Sequence, residues 1–263
     1  MDAIVTAGGI LEPDNPLREL TGVEKKALIS LGGRPMISWV LDALRGSGLV
    51  DLIAVVGLKP NELNYEDSQL RFVEPKSGLV DNIYAALDKL QEINPPVKKI
   101  LLLSSDIPLV TPEIIRGFVE ECGSQEGDIY YAVVEEKTME ARFPGSNRTF
   151  VPFKGGRYSG GDAFLADVAA AKGNVDLARS LTGSRKNYLQ QARAIGFGFI
   201  VRFLLRMMTV HEAAARASER INLNNGQVVV TRFAELGMDV DKPHQYEMIK
   251  VYLEEREAQK AQR

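Results

Sequence analysis

The stretch KILLLSSDIPLV, residues 99–110, indicates the fold class. Its first six residues, Lys99–Ser104, are largely apolar without alternation, which is typical of a strand buried on both faces of a parallel sheet. Asp106 follows the strand almost at once, and an amphipathic helix is predicted over Thr111–Cys122 because threonine is a favoured N-cap. A buried strand followed by a helix is the repeating unit of a parallel α/β sheet.

The same alternation extends outward along the chain. It predicts an α/β fold with a mostly parallel, doubly wound sheet and a C-terminal helical elaboration. A polar loop is expected from the glycines at 8–9 to about residue 25, and an irregular, glycine- and arginine-rich segment over Phe143–Tyr158. Further strands are predicted at Asp2–Thr6, Asp51–Gly57, Asp128–Val134 and Gln227–Thr231, and further helices at Pro35–Ser47, Val80–Leu90, Asp176–Gly196, Thr209–Arg220 and Pro243–Arg263.

Composition narrows the functional classes. The net charge of −3 argues against a nucleic-acid partner, because phosphate backbones are bound by clustered basic residues. A single cysteine, Cys122, excludes an internal disulfide and favours a cytoplasmic protein. The N-terminus lacks the pattern of a signal peptide. The apolar run Ile195–Val210 contains Arg202 and Arg206 and is shorter than a membrane span of about 20 residues. A buried or half-buried helix is expected there, with contact to a membrane surface as the alternative.

No repeat or linker divides the chain, so we expect one domain over residues 1–263. Within it, residues 1–134 and 135–263 would form two halves, and a monomer or homodimer is expected.

Three predicted strands end in residues suited to chemistry. Ala7-Gly8-Gly9, Gly57 and Ser104-Ser105-Asp106 follow strands, and ligands of such sheets bind beyond the carboxyl ends of the strands. Glycines after a strand let backbone N–H groups approach a phosphate, although such a pair is also common in plain turns. Neither G-x-G-x-x-G nor G-x-x-x-x-G-K-[ST] occurs, so the common dinucleotide and P-loop signatures are missing.

Charged residues complete the candidate site. Lys26 could neutralise triphosphate oxygens, or it could be a solvated loop lysine. Asp106 on a rigid strand end suits Mg²⁺, which takes one or two carboxylates together with phosphate oxygens. Asp239 and Asp241 are two residues apart in an extended segment and point the same way, so one of them could share the cation, although an aspartate before a helix is also a common cap.

Taken in order, four segments resemble one known family. They are AGG at 7–9, KKALISLGGRPMISWVLDAL at 25–44, LLLSSDIPLVTPEII at 101–115 and MDVDKPHQYEMI at 238–249. This order is similar to that of the MobA-like NTP transferases of the nucleotide-diphospho-sugar transferase superfamily. The resemblance implies a Rossmann-like, three-layer α/β/α fold and covers the whole chain, best over 2–134 and 235–253. It implies a single NTP transferase domain, in which residues 1–134 would form the nucleotide-binding half and residues 135–263 the acceptor-side half with the helical elaboration.

The resemblance also implies roles for individual residues. A nucleotide site would comprise Ala7, Gly8, Gly9, Lys26, Ser77, Gly78, Asn82 and Ser105, with Arg18 as the candidate for the family's loop arginine. Lys26 and Asp106 would be the catalytic residues, and Asp106, Asp239 and Asp241 the Mg²⁺ ligands. Acceptor contacts would come from Tyr158, Gly160, Gly161 and Asp162.

Two departures from the family pattern stand out. Residues 9–26, GILEPDNPLRELTGVEKK, replace the usual shorter G-x-G-x-R loop. Lys242 replaces the usual threonine of the D-T-P segment, and His244-Gln245 replace the Glu-Asp pair after the proline.

The implied function is Mg²⁺-dependent transfer of a nucleoside monophosphate from an NTP, CTP or GTP foremost, to a small phosphorylated acceptor. The chain offers no strong general base, because His211 and His244 fall on or beside predicted helices. Arg148, Lys154 and Arg157 are either contacts to an acceptor phosphate or carboxylate, with Arg148 the first candidate, or surface charge. The alternatives are a non-catalytic nucleotide-binding protein on the same fold and, less in keeping with the missing glycine motif, a dinucleotide-dependent oxidoreductase.

Overall fold

The structure is a computed structural model that describes residues 1–123, 127–173, 207–220 and 225–261. The strands are β1 (Asp2–Thr6), β2 (Ser30–Leu31), β3 (Arg34–Pro35), β4 (Ile53–Val56), β5 (Leu70–Val73), β6 (Lys99–Ser104), β7 (Ile129–Glu135), β8 (Val151–Phe153), β9 (Gly156–Asp167) and β10 (Gly226–Thr231). The helices are α1 (Pro16–Thr21), α2 (Met36–Gly46), α3 (Leu79–Ile93), α4 (Pro112–Gly123), α5 (Glu136–Arg142), α6 (Val168–Gly173), α7 (Val210–Arg220) and α8 (Pro243–Ala261).

One sheet organises the molecule, in the strand order β10-β7-β9-β6-β1-β4-β5, with β8 paired to β9. Its strands run parallel at β6-β1-β4-β5 and at β10-β7. The long strand β9 is inserted antiparallel between β6 and β7. The prediction of a mostly parallel α/β sheet is confirmed.

Helices cover both faces of the sheet, because successive residues of the buried strands point to opposite sides. On one face, Ala3 and Val5 pack in a cluster with residues of α2 and α4 such as Val40 and Phe118. On the other face, Ile4 packs in a second cluster with residues of α3. The three-layer arrangement follows from this alternation.

The C-terminal helix α8 returns to the N-terminal half of the chain. Ile249 and Leu253 are fully buried in a third apolar cluster that also contains Leu17 of α1 and Trp39 of α2. The predicted C-terminal helical elaboration is therefore present. It brings the segment before α8 next to the carboxyl ends of the central strands, where the Val240 backbone N–H donates to the Asp106 carbonyl at 3.0 Å.

Two predictions of irregular structure are wrong. The expected polar loop contains α1, which begins after Asn15 because the Asn15 side chain accepts from the Leu17 N–H at 2.9 Å. The expected irregular segment Phe143–Tyr158 ends in a hairpin of β8 and β9, in which Gly155 provides the left-handed turn. The predicted helix Asp176–Gly196 and most of the apolar run Ile195–Val210 lie outside the described residues.

Among the described residues, no helix is both long and apolar enough to span a membrane.

Candidate nucleotide and metal site

The parallel strands β1, β4 and β6 end at the same edge of the sheet, because β1 pairs in register with both neighbours. A cleft of about 550 Å³ lies at this edge, and we call it the strand-edge cleft. It gathers most of the nucleotide-site residues expected from the sequence. Its walls include Thr6, Gly8, Gly9, Lys25, Lys26, Gly57, Lys76, Ser77, Gly78, Asn82, Ser104, Ser105 and Asp106.

Ala7, Gly8 and Gly9 form what we call the glycine loop, which packs closely against the backbone at the end of β4. Gly57 follows β4 with φ of +111°, a conformation that L side chains rarely adopt. A Cβ at Gly57 would lie 2.3 Å from the Gly8 N and 2.6 Å from the Ala7 carbonyl carbon. A Cβ at Gly8, in contrast, would meet only ordinary contacts at 3.8 Å or more, so there is room for a methyl group at this position. Ala7 itself is buried and serves as part of the support.

Lys26 links the glycine loop to the carboxylates. Its backbone N–H donates to the Gly9 carbonyl at 2.9 Å, and its Nζ lies 2.5 Å from Asp106 Oδ2 and also ion-pairs with Asp241. Burial works to lower the pKa of Lys26, but the charges of Asp106 and Asp241 outweigh it and the pKa is raised above its usual value. Lys26 therefore remains a cation in the cleft.

Lys25 also lies in the wall of the cleft, although the sequence singled out only its neighbour for a role. Its Nζ lies 2.7 Å from both carboxylate oxygens of Glu62, and this pairing lowers the pKa of Glu62. The two adjacent lysines thus have different partners. Nothing in the sequence indicates this difference, because Glu62 is 37 residues away.

Three aspartates form what we call the acid cluster: Asp106, Asp239 and Asp241. Each offers one oxygen, and the three oxygens lie within 4.8 Å of one another. Asp239 is buried and ion-pairs with Arg148, whose Nη2 also donates to the Gly160 carbonyl at 3.3 Å. Asp241 is exposed, and Asp106 has a buried oxygen, Oδ1, with no hydrogen-bond partner. The three aspartates thus lie together, and their role as Mg²⁺ ligands stays a prediction.

A bulge in β9 places Asp162 near the acid cluster. Tyr131 pairs with Phe164, but Val133 pairs with Gly160. Residues 161–163 of β9 therefore lie opposite the single residue Ala132 of β7, which is a β-bulge. Burial raises the pKa of Asp162 to about 7, the charge of Asp106 adds to this rise, and Arg148 opposes it. The Asp162 carboxyl oxygen Oδ2 is buried without a hydrogen-bond partner.

We expect Asp162→Asn to stabilise the protein increasingly as the pH rises. The folded pKa of about 7 exceeds the ordinary value of 3.8, so the folded state binds more protons and wild-type stability falls as the pH rises between these values. Urea unfolding in EDTA should show a stabilisation that is about 1–3 kcal/mol larger at pH 8 than at pH 5. Asp88→Asn, at an exposed carboxylate paired with Lys172, is the control. An equal effect of Asp162→Asn at both pH values would contradict the raised pKa.

The segment before α3 forms the far wall of the cleft. The Asn82 side-chain oxygen Oδ1 accepts a hydrogen bond from the Lys76 backbone N–H. The Asn82 backbone N–H donates to the Gly78 carbonyl at 2.9 Å. Its Nδ2 lies about 4.0 Å from the Cβ position of Gly8. Because the amide oxygen is held by a backbone donor, the Asn82 NH₂ group is left to donate to a ligand.

Arg18 lies away from these walls. Its Nη1 donates to the Leu11 carbonyl at 2.7 Å, and its Nη2 is 3.9 Å from Glu24. These contacts tie down the long loop before Lys26. A nucleotide contact by Arg18 stays a prediction.

The expected acceptor residues are brought together only in part. Arg148, Gly160 and Asp162 lie near the acid cluster, and Gly161 is buried where a Cβ would lie 3.0 Å from the Ala132 carbonyl oxygen. Tyr158 lies on the β8–β9 hairpin, edge-to-face with Phe153 at 6.0 Å. On the same hairpin, Arg157 pairs with Glu136 at 3.0 Å and Lys154 is exposed. The acceptor roles of all these residues stay predictions.

The sequence did not indicate that Tyr131 lies beside Gly160, one of the expected acceptor residues. Its ring stacks on Phe164 with centroids 4.4 Å apart, and a Cβ at Gly160 would lie 2.2 Å from its hydroxyl oxygen. The Tyr131–Phe164 stack depends on the pairing of β7 with β9, and β9 was not predicted. Of the histidines, His244 contacts the Ser146 carbonyl at 3.1 Å and His211 is exposed on α7.

Comparison with known proteins shows the family and the fold of this chain. The family model of the MobA-like NTP transferase domain matches residues 18–191, which is more than half of the chain. A solved structure described as a hypothetical transferase from Thermus thermophilus has a TM-score of 0.80 and 31% identity, with 93% of this chain and 98% of that chain covered. The fold and the strand-edge cleft thus define a nucleotidyltransferase class. The chain belongs to the MobA-like NTP transferase domain family.

A more distant solved structure shows the same fold, and curated relatives match part of the chain. The 2-C-methyl-D-erythritol 4-phosphate cytidylyltransferase of Thermus thermophilus has a TM-score of 0.56 at 12% identity over 97% of this chain and 98% of that chain, which confirms the expected fold class. A probable molybdenum cofactor guanylyltransferase from Natranaerobius thermophilus is 22% identical over 41% of this chain and 52% of its own length. The bifunctional protein GlmU of Geobacter metallireducens is 28% identical over 38% of this chain, which spans only 21% of that relative.

Proposed function

We propose that the protein transfers a nucleoside monophosphate from an NTP to a small phosphorylated acceptor, with Mg²⁺ bound and with release of pyrophosphate. One observation carries this proposal: a glycine loop, a largely buried lysine and three aspartates converge at the carboxyl edge of the parallel strands. The family membership supports an NTP as the donor. CTP or GTP remains the first choice.

The acid cluster suits a hard divalent cation. Its three oxygens lie within 4.8 Å of one another, and Asp106 Oδ1 is buried without a hydrogen-bond partner. Mg²⁺ prefers oxygen ligands and is commonly held by one or two carboxylates together with substrate phosphates. When bound here, the cation would neutralise charge on the reacting phosphates.

The chain's own residues bind and orient the reactants. Lys26 and the amides of Gly8 and Gly9 would hold the β- and γ-phosphates. An acceptor phosphate oxygen then attacks the α-phosphorus in line, the new P–O bond forms, and the bond to the β-phosphate oxygen breaks with its electron pair leaving on pyrophosphate. A phosphate is already anionic at neutral pH, so catalysis needs positioning and charge stabilisation rather than a general base.

The arrangement favours Asp241 over Asp239 as the second cation ligand. Asp239 already ion-pairs with Arg148, although its buried Oδ1 accepts no hydrogen bond, and the two side chains are nearly buried, at 10% and 13% exposure. Asp241 is 52% exposed and shares Lys26 with Asp106. Its carboxylate is therefore better placed to exchange a partner for a cation.

Asp241→Asn and Asp239→Asn should accordingly differ in kind. We expect Asp241→Asn to raise the Mg²⁺ concentration for half-maximal activity at least about tenfold, with stability unchanged. Asp239→Asn should lower the free energy of unfolding by about 2–4 kcal/mol, because it leaves the buried Arg148 short of a counter-charge. Mg²⁺ titration of activity and urea unfolding measure the two effects. The reverse pattern would assign the cation to Asp239 instead.

The acceptor side is proposed to include Arg148, Gly160 and Asp162. Arg148 reaches the acid cluster from this side, where it ion-pairs with Asp239. We propose a single domain over 1–263, because β9 and β10 from the second half are paired with β6 and β7 from the first. A cytoplasmic monomer or homodimer remains our expectation.

A non-catalytic nucleotide-binding protein is the alternative function. The lengthened loop over residues 9–26 favours it. The acid cluster favours catalysis, because a protein that only binds a nucleotide does not require clustered carboxylates beside a largely buried lysine.

Pyrophosphate release tests the proposal. The purified protein would be given Mg²⁺ with CTP, GTP, UTP or ATP, each against a panel of phosphorylated acceptors. Release with one pair would establish the reaction and identify both substrates. Calorimetric NTP binding without release from any pair would favour the non-catalytic alternative. No NTP binding at all would refute the proposal.

A further inference from the structure

Lys26 is shared between the two parts of the proposed site. Its Nζ contacts Asp106 and Asp241, which lie 80 and 215 residues away in the chain, and the side chain is 15% exposed. Its backbone is fixed beside the glycine loop, where its N–H donates to the Gly9 carbonyl. The ammonium thus reaches from the expected phosphate position into the acid cluster.

A divalent cation and this ammonium would claim the same oxygens. Asp106 Oδ2 is 2.5 Å from Nζ, and Asp106 and Asp241 are two of the three members of the acid cluster. A Mg²⁺ ion lies only about 2.1 Å from its ligand oxygens. With Nζ between the two carboxylates, a bound cation would face a positive charge at close range, and like charges in a partly buried site repel strongly.

The lysine side chain can relieve this conflict by rotation. Four methylene groups separate the ammonium from the fixed backbone, and each is a flexible link. A Cβ at Gly9 would lie 3.5 Å from the Lys26 Cβ, so the root of the side chain lies against the glycine loop. Phosphates on that loop would offer the ammonium new anionic partners without any movement of the backbone.

We infer that Lys26 competes with the divalent cation for Asp106 and Asp241, and that nucleotide phosphates relieve this competition by drawing the ammonium away. Lys26 thereby couples nucleotide binding to cation binding. The inference rests on the proposed nucleotide and metal site. It adds that the lysine weakens cation binding when no nucleotide is present.

Titration with Mn²⁺ alone, followed by electron paramagnetic resonance, tests this inference on the full chain. Lys26→Met should bind Mn²⁺ about tenfold or more tightly than wild type without nucleotide, because the competing charge is gone. Lys26→Arg, which keeps the charge, should remain weak. Lys25→Met is the matched control, since Lys25 pairs with Glu62 instead of the acid cluster, and it should bind as wild type does.

Thermal unfolding provides a second readout. Mn²⁺ should raise the Tm of Lys26→Met more than that of wild type, because the cation replaces the lost neutralising charge. Mn²⁺ binding by Lys26→Met that is equal to or weaker than wild type would overturn the inference. Asp106→Asn separates this failure from failure of the proposed function. If it binds Mn²⁺ as wild type does, the metal site itself is wrong, whereas lost binding in Asp106→Asn leaves only the competition refuted.

Discussion

Asp106→Asn is expected to lower kcat for nucleotidyl transfer by roughly 10³-fold while changing the free energy of unfolding by less than about 1 kcal/mol. Asparagine keeps the shape of the side chain but removes the charge that a divalent cation requires. Asp106 follows the end of β6 and its side chain is only 14% exposed, so it offers its carboxylate from a fixed position. The loss should therefore fall on the chemical step.

The small effect on stability has a structural reason. Breaking a buried ion pair is costly when it leaves a charge without a partner, but Lys26 keeps Asp241. Removing one negative charge also relieves Asp162, whose pKa Asp106 helps to raise. Asp42→Asn is the matched control, because it breaks a 2.5 Å ion pair with Arg34 away from the cleft and should leave kcat unchanged. Full activity in Asp106→Asn would show that this carboxylate holds no catalytic cation.

Much of the fold could be predicted because its central strands are simple in sequence. β1 and β6 were predicted with the observed bounds, since each is a short, largely apolar run bounded by polar residues. The strand β9 was not predicted. Its inward-facing residues are small, among them Ser159, Gly161 and Ala163, so the period of two is hidden by glycines that are also typical of loops.

The candidate site was predictable to the extent that it follows from topology. Parallel strands bring their carboxyl ends to one edge of the sheet, so the predicted strands alone indicate that the glycine loop and Asp106 lie close together. The partners of individual charges were not predictable. Lys25 and Lys26 are adjacent in sequence, yet one pairs with Glu62 and the other with Asp106, because the choice depends on side-chain directions in the folded chain.

Gly57→Ala should lower the free energy of unfolding by about 2–6 kcal/mol and weaken NTP binding. The φ of +111° makes any side chain costly, by about 1–3 kcal/mol, and overpacking adds about 1–3 kcal/mol. The new methyl group would lie 2.3–2.6 Å from backbone atoms of Ala7 and Gly8, which cannot move aside as a flexible side chain could. Relief of the overlap would displace the glycine loop from the phosphates.

Two matched variants separate the causes. Gly33→Ala has a comparable φ of +77° but no atom within 4 Å of its Cβ, so it should show only the strain of the backbone. Gly8→Ala meets only ordinary contacts and should keep its stability, yet lose NTP affinity because its methyl group blocks close phosphate approach. Urea unfolding and NTP calorimetry measure these effects. If Gly57→Ala were no less stable than Gly33→Ala, the close packing of the glycine loop on the end of β4 would not be what positions it.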